Sequence, residues 1–213
     1  MEDARSYLDS TAPAAEALFK TLSDYGWTKM RAFVDITKVK TREELEVFNR
    51  EYGAIDIARE VISGSILQLA YFGIKQFGVF TGKSTGAIHF EAEMNRLLRE
   101  CSKPRMNKEF VLPEAFCVGR DIGDLPLGMI VYAGRNQYNH YDDERLTVVN
   151  EVVFNHLHQL WPQLTNDRSF NIYDNSHFYC WSVLCALGWV ADEQNNGYLR
   201  FKKDLLDIMR IEA

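Results

Sequence analysis

The chain has 213 residues, with 24 Lys and Arg against 30 Asp and Glu, a net charge of −6, and 46% apolar side chains. That composition excludes disorder over the whole chain, and a core can form without staples. It also excludes a generally basic nucleic-acid coat, so any contact with RNA or DNA must come from a local cationic patch.

Chain order gives the following elements. Thr11 and Pro13 read as a helix start, with AAEALFKTLSDYGW carrying apolar residues at helical spacing. Residues 28–40 mix helix and strand character. Thr41-Arg-Glu-Glu44 reads as a capping box, in which hydroxyl and carboxylate satisfy each other's orphan amides. From there a helix is predicted to Phe77, with Gly53 a break point. Its second half, VISGSILQLAYFGIKQFG, is apolar nearly all round and should be central and buried. Gly64 and Gly73 would let neighbouring helices come close. Residues 78–86 read as a loop, followed by a helix capped by Ser84 or Thr85. Residues 101–112 form a polar, basic loop, Pro113 opens a short helix, and Asp124 with Pro126 opens another. A long helix over 143–160 places Leu146, Val149, Val153, Leu157 and Leu160 on one face. FYCWSVLCALG reads as a helix, and GWVADEQNNGYLRF as a hairpin turning at Asn196-Gly197.

Several motifs fall away on inspection. Cys101, Cys117, Cys180 and Cys185 make no C-x-x-C or zinc spacing and are expected to be free thiols. The first twenty residues carry acids where a secretion signal needs bases, and no run is long enough to span a membrane. A cytoplasmic protein without a membrane partner is expected. GKST at 82–85 lacks the spacing and preceding strand of a phosphate-binding loop, and reads as a capped helix–helix connection. His156 and His158, two apart on a helix, point about 200° apart and cannot share a metal. His89 and His177 have no partner legible in the sequence.

The segment GRNQYNHYDD, 134–143, carries coherent chemistry. RNA holds its own nucleophile, the 2′-hydroxyl. Cleavage needs a base for that proton, an acid for the leaving 5′-oxygen and a cation for the phosphorane. An imidazole exchanges protons near neutrality, and a guanidinium grips a phosphate through two bonds. His140, Arg135 and the neighbouring amide of Asn136 supply these groups, and no metal or cofactor is needed. Spacing alone leaves a second reading open, in which Arg135 and His140 simply place positive charge at a helix C-terminus. Asp142, Asp143 and Glu144 follow, the last two best placed to start the next helix.

Here the chain resembles the HEPN superfamily, helical domains named for higher eukaryotes and prokaryotes nucleotide-binding. The resemblance covers about 45–162 and rests on Arg135-Asn136-Gln137-Tyr138-Asn139-His140-Tyr141, followed by a helix ending near LHQLWPQL. It implies an HEPN-like helical bundle over 41–162. Added to it are an N-terminal helical cover over 1–40 and a small α/β extension over 163–213, a helix plus hairpin packed on the bundle. It further implies a homodimer whose two Arg/His motifs meet in a groove and cut RNA without metal. Arg135 would then bind the scissile phosphate, His140 would act as acid and base, and Asn136 would support both. Members often serve as toxins or in phage defence, and some only as binding modules. A separate antitoxin or regulatory protein is an expected partner. For the RNA substrate, Lys103, Arg105 and Lys108 of the basic loop, with Arg120 and Tyr141, and Arg96 and Arg99 nearby, are the candidate contacts.

Overall fold

The first helix, α1 (Ala4–Asp35), starts seven residues before Thr11, because Asp3 accepts the Ser6 amide at 2.7 Å and caps it there. The computed structural model describes residues 3–100, 111–140, 147–160, 179–190 and 197–212. Pro13 therefore lies inside α1 and does not open it. A proline there leaves the Asp9 carbonyl without its amide, but both positions are exposed and water can serve that carbonyl. Leu8, Ala15, Phe19 and Leu22 keep one buried stripe running past it. The ambiguous stretch after Thr28 remains helical to Asp35 and ends in a 3-10 turn at Ile36–Lys38.

The second helix, α2 (Arg42–Phe77), begins with the expected capping box: Thr41 accepts from the Glu44 amide at 3.2 Å, and Glu44 accepts from the Thr41 amide at 3.1 Å. Gly53 does not break it. Its second half is the spine of the fold, with Ile66, Leu67, Ala70 and Ile74 at most 1% exposed. Gly64 is required by a close approach, since a methyl group there would meet the Tyr138 ring at 2.2 Å. At Gly73 a methyl would meet Met209 and Tyr7 at 2.7 and 2.8 Å. Both glycines thus do what their place in an apolar helix suggests. Between residues 23 and 58 no side chain is buried, so the end of α1 and the start of α2 project as a helical hairpin. Lys29 clasps the two helices by pairing with Asp56 and lying 4.7 Å from the centre of the Tyr52 ring.

Around this spine pack α3 (Thr85–Glu100), α4 (Leu127–Asn139), α5 (Val148–Leu160), α6 (Cys180–Leu187) and α7 (Gly197–Met209). Pro113 precedes a 3-10 turn at Glu114–Phe116, and a two-residue antiparallel pair, β1 (Asp121–Ile122) and β2 (Leu125–Pro126), leads into α4. One apolar core draws on α1, α2, α4, α5, α6 and α7 together. In α5, Val153 and Leu157 are fully buried as predicted, whereas Leu160 is 39% exposed. The predicted start of that helix, 143–146, lies outside the described residues.

The C-terminal α/β expectation is corrected. Gly197 opens α7, and no hairpin strand follows it. Asn-Gly favours a tight turn in isolation, but Phe201, Leu205 and Ile208 recur at helical spacing and bury against the core. Tertiary burial of that stripe overrides the local turn signal. Residues 179–190 and 197–212 hold helix, turn and irregular backbone, without a strand.

The short helix α6 depends on α2 for its cap. Tyr179 offers no side-chain cap, and the Trp181 amide instead donates to Glu60 of α2 at 3.1 Å. Burial pushes the Glu60 carboxyl up to about 7, against the opposing pull of the α6 amides and Arg59. A carboxyl that holds its proton more tightly in the folded state stabilises only while protonated. That contribution is full below about pH 4.5 and is lost as pH rises through about 7, up to about 3 kcal/mol in all. Glu60→Gln is therefore expected to flatten the loss of thermal stability between pH 5 and 8. Equal slopes for the two proteins over that window would contradict this role.

Candidate functional site

The residues of the Arg/His motif sit where α4 leaves the core. Leu127 to Val131, Ala133 and Gly134 are buried, Arg135 and Asn136 are half-buried, and Asn139 and His140 are exposed. The rotation of α4 is fixed from two sides. Tyr138 lies against Gly64 of α2, and Gln137, 2% exposed, accepts from Asn150 of α5 at 3.1 Å. This locks the direction in which Arg135 leaves the helix.

Arg135 turns toward α2. Its Nε donates to Gln68 Oε1 at 3.3 Å, and its guanidinium lies over the Tyr71 ring, 4.4 Å from the centre. Gln68 and Tyr71 are one turn apart on α2, just as Arg135 and Asn139 are on α4. Asn139 wedges between Gln68 and Arg135. With its amide turned one way, Oδ1 accepts from Gln68 Nε2 at 2.7 Å. Turned the other way, Oδ1 accepts from the guanidinium nitrogens at 2.9–3.0 Å. A guanidinium only donates, so the second orientation is the one that satisfies it; it also sets the Asn139 amide nitrogen 2.7 Å from Gln68 Nε2, so one amide oxygen or the other, not both together, receives Arg135. Tyr71 is itself stacked on Phe116 at 4.9 Å, and Lys75 Nζ stands 5.8 Å from the same Tyr71 ring.

The partners of Arg135 are therefore uncharged. Among the described residues no carboxylate pairs with it. Arg42, Arg59, Arg96 and Arg120, by contrast, pair with Glu46, Asp56, Glu93 and Asp204. Neutral acceptors and a π face orient a guanidinium without cancelling its charge. The contacts also run to α2 and not to the last carbonyls of α4, which is not how a C-terminal cap is made.

His140 is the residue that ends α4, with φ −126° and ψ 31°, and its amide donates to the Gln137 carbonyl at 3.2 Å. It follows Arg135 by five residues, about 140° around the helix. Within one chain the two side chains thus leave α4 on different faces, Arg135 against α2 and His140 toward solvent.

The other predicted contacts fare differently. Lys103, Arg105, Lys108 and Tyr141 lie outside the described residues, as do Asp142, Asp143, Glu144, His177 and Cys101. Arg120 is committed elsewhere. It donates to both carboxylate oxygens of Asp204 at 3.0 and 3.1 Å and to the Leu187 carbonyl at 2.6 Å. It also precedes α4, roughly 12 Å of helix before Arg135 begins to face out. Its position ties α7 and α6 to the core.

GKST follows α2, a helix, and serves the fold. Ser84 accepts the Ala87 amide at 3.1 Å and donates to Asp121 at 3.2 Å, while Lys83 pairs with Glu91 at 2.6 Å. A cavity of about 350 Å³ beside this loop, bounded by Thr81, Ser84, Asp121, Asp207 and Arg210, contains none of the motif residues. His156 packs on Phe90 with ring centres 6.0 Å apart, and burial pushes its imidazole below the usual range. Cys117, Cys180 and Cys185 are free thiols, and burial pushes Cys117 up to about 11. Among the described residues no three His, Cys, Asp or Glu side chains gather so as to hold a metal ion, and no helix is long and apolar enough to cross a membrane.

Comparison with protein-family models, with curated proteins and with solved structures found no match to any of them. The motif and its surroundings stand on their own chemistry.

Sequence reasoning missed Gln68, Tyr71 and Asn139. Gln68 carried the one usable signal, the single amide side chain in the largely apolar run SILQLAYFGI.

Proposed function

We propose that this chain is a metal-independent endoribonuclease of HEPN type, acting as a homodimer in which two Arg135/His140 motifs share one groove. The observation that carries the reading is the neutral setting of Arg135, a guanidinium held in place by Gln68, Asn139 and Tyr71 with its positive charge available to an anion. Arg135 binds the scissile phosphate and stabilises the phosphorane. His140 of one copy takes the 2′-hydroxyl proton as the new 2′-oxygen–phosphorus bond forms. His140 of the other gives a proton to the 5′-oxygen as its bond to phosphorus breaks. The products carry a 2′,3′-cyclic phosphate and a free 5′-hydroxyl. Asn136, beside Arg135, supports the bound phosphate. Lys103, Arg105, Lys108 and Tyr141 extend the RNA contact, and Lys75 adds a cation on the same Tyr71 ring. A toxin or phage-defence role, restrained by a separate antitoxin, fits such an activity.

The divergence of Arg135 and His140 around α4 favours a second reading, a non-catalytic module that binds a partner or nucleotide through Arg135 alone. The two separate in one assay, cleavage of RNA by the purified protein in EDTA. The enzyme cuts there and yields cyclic phosphate ends. The module leaves every RNA intact while still binding it through Arg135.

A further inference from the structure

We infer that Gln68 and Asn139 are positioning residues whose lack of charge is itself functional: they hold Arg135 for an RNA phosphate without neutralising it. The inference rests on the reading of Arg135 as a phosphate ligand. Among the described residues the other buried or half-buried Lys and Arg side chains are held by carboxylates: Lys29 and Arg59 by Asp56, Lys83 by Glu91. A Glu at 68 would fill nearly the same volume as Gln and accept the same Arg135 Nε hydrogen bond, now charge-assisted and stronger. For stability alone a carboxylate is the better partner. It would also place a negative charge within about 3–4 Å of the guanidinium, where an incoming phosphate would be repelled and its site already filled.

The arrangement has a geometric logic. Gln68 takes Nε, the one guanidinium nitrogen that lies back along the side chain. Tyr71 supports one face of the plane, and its own stacking on Phe116 fixes that support to the core. Asn139, at the exposed end of α4, reaches the terminal nitrogens.

The test is binding of a short single-stranded RNA with 2′-fluoro sugars, which cannot be cut, to the full chain and to Arg135→Ala and Gln68→Glu. The expected result is that both variants lose at least about tenfold in affinity and that the salt dependence of binding falls by about one unit of slope in each. Gln68→Glu should meanwhile melt at or above the wild-type temperature, which a merely structural role for Gln68 also predicts. The loss of binding is what that role does not predict. Wild-type affinity in Gln68→Glu beside a loss in Arg135→Ala would overturn the inference and leave the phosphate reading of Arg135 standing. Wild-type affinity in Arg135→Ala would overturn both. Should Gln68→Glu fail to fold, Asn139→Asp brings the same charge to the same guanidinium from the exposed side, and its affinity decides in the same way.

Discussion

Replacing Arg135 with alanine is expected to lower RNA cleavage by on the order of 10³-fold while leaving the fold in place. Arg135 lies at the edge of the core, half-buried, and among the described residues its polar and π contacts are with Gln68, Asn139 and Tyr71. Its removal costs one or two polar contacts and a cation–π interaction, on the order of 1 kcal/mol together. What it removes from the reaction is larger, because a preorganised positive charge acts where the phosphorane develops its negative charge and pays no reorganisation at that moment. His140→Ala should cost about 10²–10⁴-fold through loss of proton transfer, with less effect on stability, since its side chain is exposed. The measurement is the initial rate on a defined RNA beside a thermal melt. A variant that melts far below wild type would make Arg135 a structural residue first.

The second large effect concerns stability and lies at the other end of α4. Asp204, 6% exposed, accepts from Arg120 Nε and Nη2 at 3.0 and 3.1 Å and from Trp189 Nε1 at 2.8 Å. Trp189 is fully buried, so its indole N–H has nowhere else to donate. Asp204→Ala leaves that donor orphaned and the Arg120 guanidinium without its counter-charge, next to the Leu187 carbonyl. Breaking one side of such a pair is expected to cost about 3–5 kcal/mol, or roughly 10 °C in melting temperature for a chain of this size. Asp204→Asn should cost less, since an amide oxygen can still receive the indole. Chemical denaturation checks this directly, and a loss below about 1 kcal/mol for the alanine variant would contradict it. At a temperature where it stays folded, Asp204→Ala should cut RNA at the wild-type rate. That places Arg120 with the fold and apart from the site.

How far the sequence reveals this structure depends on which force decides each element. Local chemistry decides the start of α2, and Thr41 with Glu44 announces it in four letters. Burial decides the spine, and the run from Val61 to Gly78 announces that as well, including the glycines that admit Tyr138, Tyr7 and Met209. The misreadings arise where a local signal and a tertiary one disagree. Pro13 looks like a beginning because proline rarely lies within helices, yet its unpaired carbonyl costs little on a wet face. Asn196-Gly197 looks like a hairpin turn, yet the stripe of Phe201, Leu205 and Ile208 has a core to enter. Within the candidate site, Arg135, Asn136 and His140 can be proposed from the sequence because they fall within six consecutive residues. Gln68 and Tyr71 were not, because they come from α2, about 65 residues earlier, and only packing brings them to Arg135. Arg120 shows the complementary case: its charge is legible, but the partner it pairs with, Asp204, lies 84 residues later.

The most direct test of the account is incubation of wild-type, Arg135→Ala and His140→Ala protein with RNA in excess EDTA, with end-group analysis of the products. A metal-independent nuclease working through Arg135 and His140 gives cleavage by wild type alone, with 2′,3′-cyclic phosphate ends. Intact RNA in the wild-type reaction, or equal cleavage by all three proteins, would contradict it.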